Sequence, residues 1–183
     1  MLQSDLVTAR ESTEPKPKRS LFRAIFLAAV LVALDGFLLN QGVVAFLVGV
    51  WLLFISLPLR LFMKRSAELR TQYLRDITVY FAAIALVFAL NAANNRIASE
   101  RAEVLVAAVN AFHARHQRYP DSLEELVPDF IERVPSAKYT LLFNEFWYVA
   151  PERDMDAELW YVEFPPFYRP TYDFTTNEWR HID

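Results

Sequence analysis

Three apolar runs lie in the first half of this chain, and they decide what it can fold into. They are Ala24–Leu39, Val43–Leu57 and Ile77–Ala93, of 16, 15 and 17 residues. At about 1.5 Å per helical residue, each reaches roughly 23–26 Å. A membrane span takes about 20 residues, with about 17 near the lower end. Flanking residues therefore complete the spans, expected at about 24–40, 42–58 and 76–93. A secretory signal peptide fits the first run less well. The stretch before it is long, and no small-x-small cleavage site follows it. Asp35, Asn40 and Gln41 read instead as the turn of a helical hairpin. Asp35 is expected near the outer membrane interface, where a charge costs little. The alternative is a buried carboxylate facing the neighbouring helix.

Charge orients the spans. Residues 1–23 carry five Lys/Arg, the 40–42 turn carries none, and residues 60–75 carry five again. The positive-inside rule then places the N-terminus and the 60–75 loop in the cytoplasm. Three spans carry residues 94–183 to the other side. In a bacterium with two membranes this is the periplasm. Residues 1–20, with Pro15 and Pro17, read as a disordered basic tail whose charges signal topology.

The two halves differ in composition. Met1–Ala93 holds 10 Lys/Arg and 6 Asp/Glu, a net of +4, and Asn94–Asp183 holds 9 and 16, a net of −7. Neither half is cationic enough for nucleic-acid binding to be the default. The apolar and aromatic content argues against a disordered chain. With no Cys, disulfides, thiol catalysis, zinc–thiolate sites and iron–sulfur clusters are excluded. The only glycines are Gly36, Gly42 and Gly49, all in the apolar half. The acidic half therefore carries no glycine-rich phosphate loop and no GxSxG elbow. Nucleotide binding is not expected, and no nucleophile–base pair points to an enzyme.

The third span is expected to continue beyond lipid as one helix, about Arg75 to Gln117. Ala98, Ala102, Leu105, Val109 and Phe112 follow 4-3-4-3 spacing and share one face. That stripe needs a cover. Ser122 and Glu125 have capping-box spacing for a short helix ending near Pro128. Strands are expected at Tyr139–Phe143, Phe146–Ala150, Leu159–Phe164, Thr171–Phe174 and Trp179–Ile182, with a hairpin turn at Asn144-Glu145. The expected class is α+β: three transmembrane helices, the third packed on a small antiparallel sheet.

Several strings in this half form a pattern: Ala111-Phe-His-Ala-Arg-His-Gln, Arg118-Tyr-Pro, Ser122-Leu-Glu-Glu-Leu-Val-Pro and Val134-Pro135. The segment from Ala102 to Pro135 resembles the soluble part of the type II secretion major pseudopilin and its pilin-like relatives. The resemblance implies a long helix, half in the membrane, capped by a small antiparallel sheet. It makes residues 94–183 an extracytoplasmic pilin-like domain behind a 21–93 membrane domain. Envelope or secretion-machinery proteins are the partner class it implies. Two further spans precede the pilin-like helix here.

Candidate sites are few. His113 and His116, at i and i+3, offer two metal ligands or a packed helix end. Glu152, Asp154, Asp156 and Glu158 alternate in a turn, which is a solvated acidic loop or a calcium loop. Some pseudopilins hold calcium in a sheet-side loop, so the resemblance adds to the calcium reading. No cofactor is expected. Thirteen aromatics fall between Tyr139 and Trp179, more than one helix-on-sheet layer hides. Trp147, Tyr161, Tyr168 and Trp179 are the expected outward contact residues, for a protein or an envelope glycan. The alternative is a small domain using large rings as core. The functional expectation is a non-enzymatic interaction or scaffolding element at the membrane. Glycan sensing is second, and a membrane enzyme built on Asp35 third.

Overall fold

A computed structural model describes residues 19–62, 67–151, 156–163 and 168–182. The tail expected over 1–20 lies almost wholly outside them, as do Glu152, Asp154 and Pro165-Pro166. Helix α1 (Arg19–Leu31) runs on as π-helical turns over Val32–Leu39. Helix α2 (Val43–Trp51) continues through a π-helical Leu52–Ser56 into α3 (Leu57–Phe62). Helix α4 (Ala67–His116) has 50 residues, about 75 Å at the helical rise. Three helices are long and apolar enough to cross a membrane: Leu21–Leu39, Val43–Phe62 and Leu69–His116. The third begins earlier than its apolar run suggests and is far longer than a bilayer core of about 30 Å.

Small residues let the spans approach. Ala24, Ala28 and Leu31 of α1 are buried, and α1 packs along α4. A methyl group added at Gly36 would lie 3.1 Å from Leu90 Cδ1, so the helices meet closely there. Leu52, Ile77, Ile84 and Val87 fill the space between the three helices. At the other end of the bundle, the Tyr73 hydroxyl lies 3.2 Å from Ser56 Oγ, and the Arg60 guanidinium sits 4.6 Å from the Tyr73 ring centre.

Beyond the spans, the predicted stripe is the core of the head. Ala98, Ala102, Leu105, Val109 and Phe112 are all buried. Leu123, Leu126, Leu159, Tyr172 and Phe174 cover its outer part. Each fully buried side chain of this size contributes about 1.5–3 kcal/mol. The cover is a four-stranded antiparallel meander in the order β1 (Trp147–Val149), β2 (Glu158–Trp160), β3 (Arg169–Asp173), β4 (Glu178–Ile182).

Two local expectations are corrected. Ser122 makes no side-chain cap, and Leu123–Leu126 is a single 3-10 turn. The Glu125 carboxylate, which would complete the box, pairs with Arg118 at 3.0 Å. Tyr139–Phe143 is not a strand, so no hairpin forms around Asn144-Glu145. Its backbone donors reach elsewhere: Leu141 N–H donates to the Phe37 carbonyl (3.1 Å) and Leu142 N–H to that of Leu38 (3.2 Å). Those acceptors stand at the end of the first span, where a helix leaves carbonyls without internal partners.

Candidate interaction face and polar junction

The register of the meander sorts its aromatics. Trp147, Trp160, Thr171 and Arg180 lie opposite one another across the four strands, so they share a face. Tyr148, Leu159, Tyr172 and Trp179 share the other face, which meets the helix. On the outward face the Trp147 and Trp160 rings stack at 4.4 Å and 11°. Arg169 places its guanidinium 5.5 Å from the Trp160 ring centre, from the strand on the other side. Its Nε is buried and has no hydrogen-bond partner among the described residues. Arg180 bridges Glu158 (3.0 Å) and Asp173 (2.7 Å) on the same face.

Only Trp147 of the four expected contact residues lies on this face. Tyr161 is 4% exposed and packs with Ala98, Ala102 and Ala137. Trp179 is half-buried against Tyr161 and Tyr172, and its indole N–H donates to Glu103 at 2.9 Å. Tyr168 stacks on His181 at 4.8 Å. Trp160 was the residue to find. Adjacent strand residues face opposite ways, so Trp160 and Tyr161 cannot both point outward. Their order against Leu159, the most apolar of the three, was the available signal.

Glu158 and the histidines have other partners. Asp156 is exposed, while Glu158 is bonded to Arg180. Glu152 and Asp154 lie outside the described residues. His113 stacks on Tyr119 at 4.1 Å, and His116 lies against Phe112 at 4.5 Å. Among the described residues no three His, Cys, Asp or Glu come together as a metal site.

Two buried charged groups shape the head. Asp173 is 2% exposed. Burial would raise its pKa, but the Thr175 and Thr176 N–H groups (2.8 and 3.2 Å) and then Arg180 hold it below the usual carboxylate range. It closes the β3–β4 turn. Lys138 is also 2% exposed, and its Nζ donates to the Glu163 backbone carbonyl at 2.9 Å. Burial lowers its pKa to about 8, partly offset by the Glu163 carboxylate.

The consequence is a pH dependence with a definite sign. A free lysine titrates near about 10.4, so between about pH 8 and 10 the unfolded chain binds more protons than the folded one. Stability therefore rises with pH across that window. Higher still the slope reverses. Burial pushes Tyr161 up to about 12 and Tyr148 higher, so the folded state keeps protons that the unfolded state gives up. Thermal unfolding in detergent should show a Tm that climbs from about pH 8 to 10, and Lys138→Met should flatten that climb.

A polar junction ties the head to the hairpin. Asp35 has no exposed surface, and its two carboxylate oxygens accept from Gly42 N–H (2.9 Å) and Ala45 N–H (2.7 Å). Asp35 is thus the buried carboxylate of the alternative reading and not a solvated interfacial charge: it caps α2 from within the protein. The turn between them needs left-handed backbone at Asn40 (φ 51°) and Gly42 (φ 70°). Asn91 Nδ2 donates to the Asn40 carbonyl (3.0 Å), and Asn94 Nδ2 to Asn40 Oδ1 (3.2 Å). Asn94 Oδ1 accepts in turn from Tyr139 N–H (3.1 Å). An apolar cleft of about 600 Å³ opens between the spans, with Arg23, Arg60, Trp51 and Tyr73 in its lining. It does not include Asp35, so the hairpin carboxylate meets backbone and not a ligand space.

No family model, curated protein or solved structure matches this chain. The fold itself defines a class: an α+β chain with three helices long and apolar enough to cross a membrane, the last of which carries a small sheet-bearing head.

Proposed function

We propose that this protein is a non-enzymatic interaction element of an envelope assembly, anchored by three spans in a bacterial cytoplasmic membrane. The charge pattern supports a cytoplasmic N-terminus and a periplasmic head. The long helix beneath a four-stranded meander supports a pilin-like reading of the head, with secretion-type machinery as partner class. No nucleic-acid or nucleotide partner is proposed.

The observation that carries this reading is the outward Trp147–Trp160–Arg169 row. Tryptophan and arginine dominate interface hot spots. Arg169 extends the row, its guanidinium 5.5 Å from the Trp160 ring centre. At Trp160 the same geometry argues against the glycan reading. A sugar stacks on a free ring face, and the Trp160 ring has Trp147 on one side and Arg169 on the other.

The test is photo-crosslinking from Val149, two residues along the same face, in the full-length protein in its native membrane. One discrete heterologous adduct is expected. Trp160→Ala should weaken it by about 30-fold or more, the loss of a hot-spot residue at about 2 kcal/mol. The same variant should leave the head folded by circular dichroism. An adduct unchanged by Trp160→Ala and by Arg169→Ala would overturn the assignment of this face. Reporter fusions after Asp183 active only in the cytoplasm would overturn the orientation.

A further inference from the structure

Among the described residues the head leaves an apolar patch uncovered at the segment that failed to become a strand. Tyr139 is 64% exposed, Leu141 74%, Leu142 44% and Phe143 37%. Four positions of this kind within five residues are costly in water. Their location explains them. The Leu141 and Leu142 N–H groups are bonded to the Phe37 and Leu38 carbonyls, the last turn of an apolar helix running Leu21–Leu39. Phe37 is itself 52% exposed on that helix. The loop's apolar side chains are therefore continuous with the lipid-facing surface of the first span.

The loop is also held from above. Arg101 Nη1 donates to the Ser136 carbonyl at 2.7 Å, its guanidinium lies 4.3 Å from the Tyr139 ring centre, and Nη2 meets the Tyr139 hydroxyl. Asn94 fixes Tyr139 N–H from the long helix. An amphipathic tyrosine beside an arginine, above leucine and phenylalanine, is the order of side chains found from headgroups to acyl chains.

We propose that Tyr139–Phe143 is a membrane foot. It inserts Leu141, Leu142 and Phe143 into the headgroup–acyl boundary beside the hairpin turn, and its partner is the bilayer that surrounds the spans. Two needs are met together. The end carbonyls of the first span gain donors in a region poor in water, and the head is held down on the membrane surface. The inference rests on the apolar helices being membrane-embedded.

The chain has no Cys, so one introduced cysteine gives a unique label. An environment-sensitive fluorophore would be placed at Leu141→Cys, and separately at Tyr139→Cys, in the full-length protein. The protein would be reconstituted in phosphatidylcholine–phosphatidylglycerol vesicles. Phe46→Cys, 59% exposed on α2, reports embedding, and Thr176→Cys in the β3–β4 turn reports water. The loop labels should be blue-shifted against Thr176 and quenched several-fold more by lipids with a nitroxide near the headgroup. Iodide should quench them several-fold less. A Phe46 label quenched by lipid nitroxide, with loop labels that behave like Thr176, would overturn the foot alone. A Phe46 label unquenched by lipid would overturn the membrane reading beneath it. Loop labels shielded from iodide yet untouched by lipid nitroxide would mean that protein covers the patch, and would overturn the proposal as well.

Discussion

Asp35→Ala should lower the unfolding free energy by about 3–5 kcal/mol, the largest single loss expected in the membrane half. Each hydrogen bond to a charged group is worth about 1.5–3 kcal/mol, and Asp35 accepts two. Both donors sit at the start of α2, where a helix has N–H groups with no internal acceptor. The site is closed to solvent, so water cannot replace the carboxylate cheaply. Asp35→Asn tests the cause. It keeps one carbonyl oxygen and turns the other acceptor into a donor facing an N–H group. It should fall between wild type and alanine. Unfolding in detergent micelles gives the energies, and amide exchange at Gly42 and Ala45 gives the location. Losses under about 1 kcal/mol, with slow exchange at both amides, would mean that the cap is not what holds the hairpin closed. Gly42→Ala strains the same turn by another route. It puts a methyl group at φ 70°, 3.1 Å from Phe88 Cε1.

What was legible in the sequence follows from how far each residue's partner lies along the chain. The stripe from Ala98 to Phe112 could be read because helix periodicity is local, and all five residues are buried. The spans were legible for the same reason, since hydropathy and length need no partner. The meander was legible in outline, because turn residues such as Thr175–Glu178 and aromatic alternation are also local. The misreadings share a cause. Tyr139–Phe143 has the composition of a strand, but its N–H groups found carbonyls about a hundred residues earlier, at Phe37 and Leu38. Ser122 and Glu125 had the spacing of a cap, but Arg118 took the glutamate. Asp35 left two readings open, interfacial charge or buried carboxylate, because its acceptor role depends on a turn whose left-handed residues are invisible to hydropathy. The outward sheet face was only partly legible, since the strand pattern implied an outward aromatic layer but not its register. The outcome turned on a single-residue shift between Trp160 and Tyr161.

Asn94→Ala should detach the head's loop from the hairpin without unfolding the sheet. Asn94 is 7% exposed and works in both directions. Its amide nitrogen donates to Asn40 Oδ1 in the turn, and its oxygen accepts from Tyr139 N–H in the loop. Alanine leaves both groups without that partner. A buried polar group left unsatisfied costs about 1–3 kcal/mol, so two together cost about 2–6 kcal/mol. The loss is local because the bonds it breaks join elements that are each folded by other means. The sheet keeps its ladder, α4 keeps its own hydrogen bonds, and the hairpin keeps Asp35. Amide exchange should therefore quicken at Tyr139, Leu141 and Leu142, while β3 and β4 amides stay protected. Asn94→Asp separates the two directions. It retains an acceptor for Tyr139 but has no amide donor for Asn40, so it should loosen the turn more than the loop. Equal loss of protection across loop and sheet in Asn94→Ala would show that the junction is part of the head's own core. Selective loss at the loop would show that it is a joint, by which the orientation of the Trp147–Trp160 face is fixed relative to the spans.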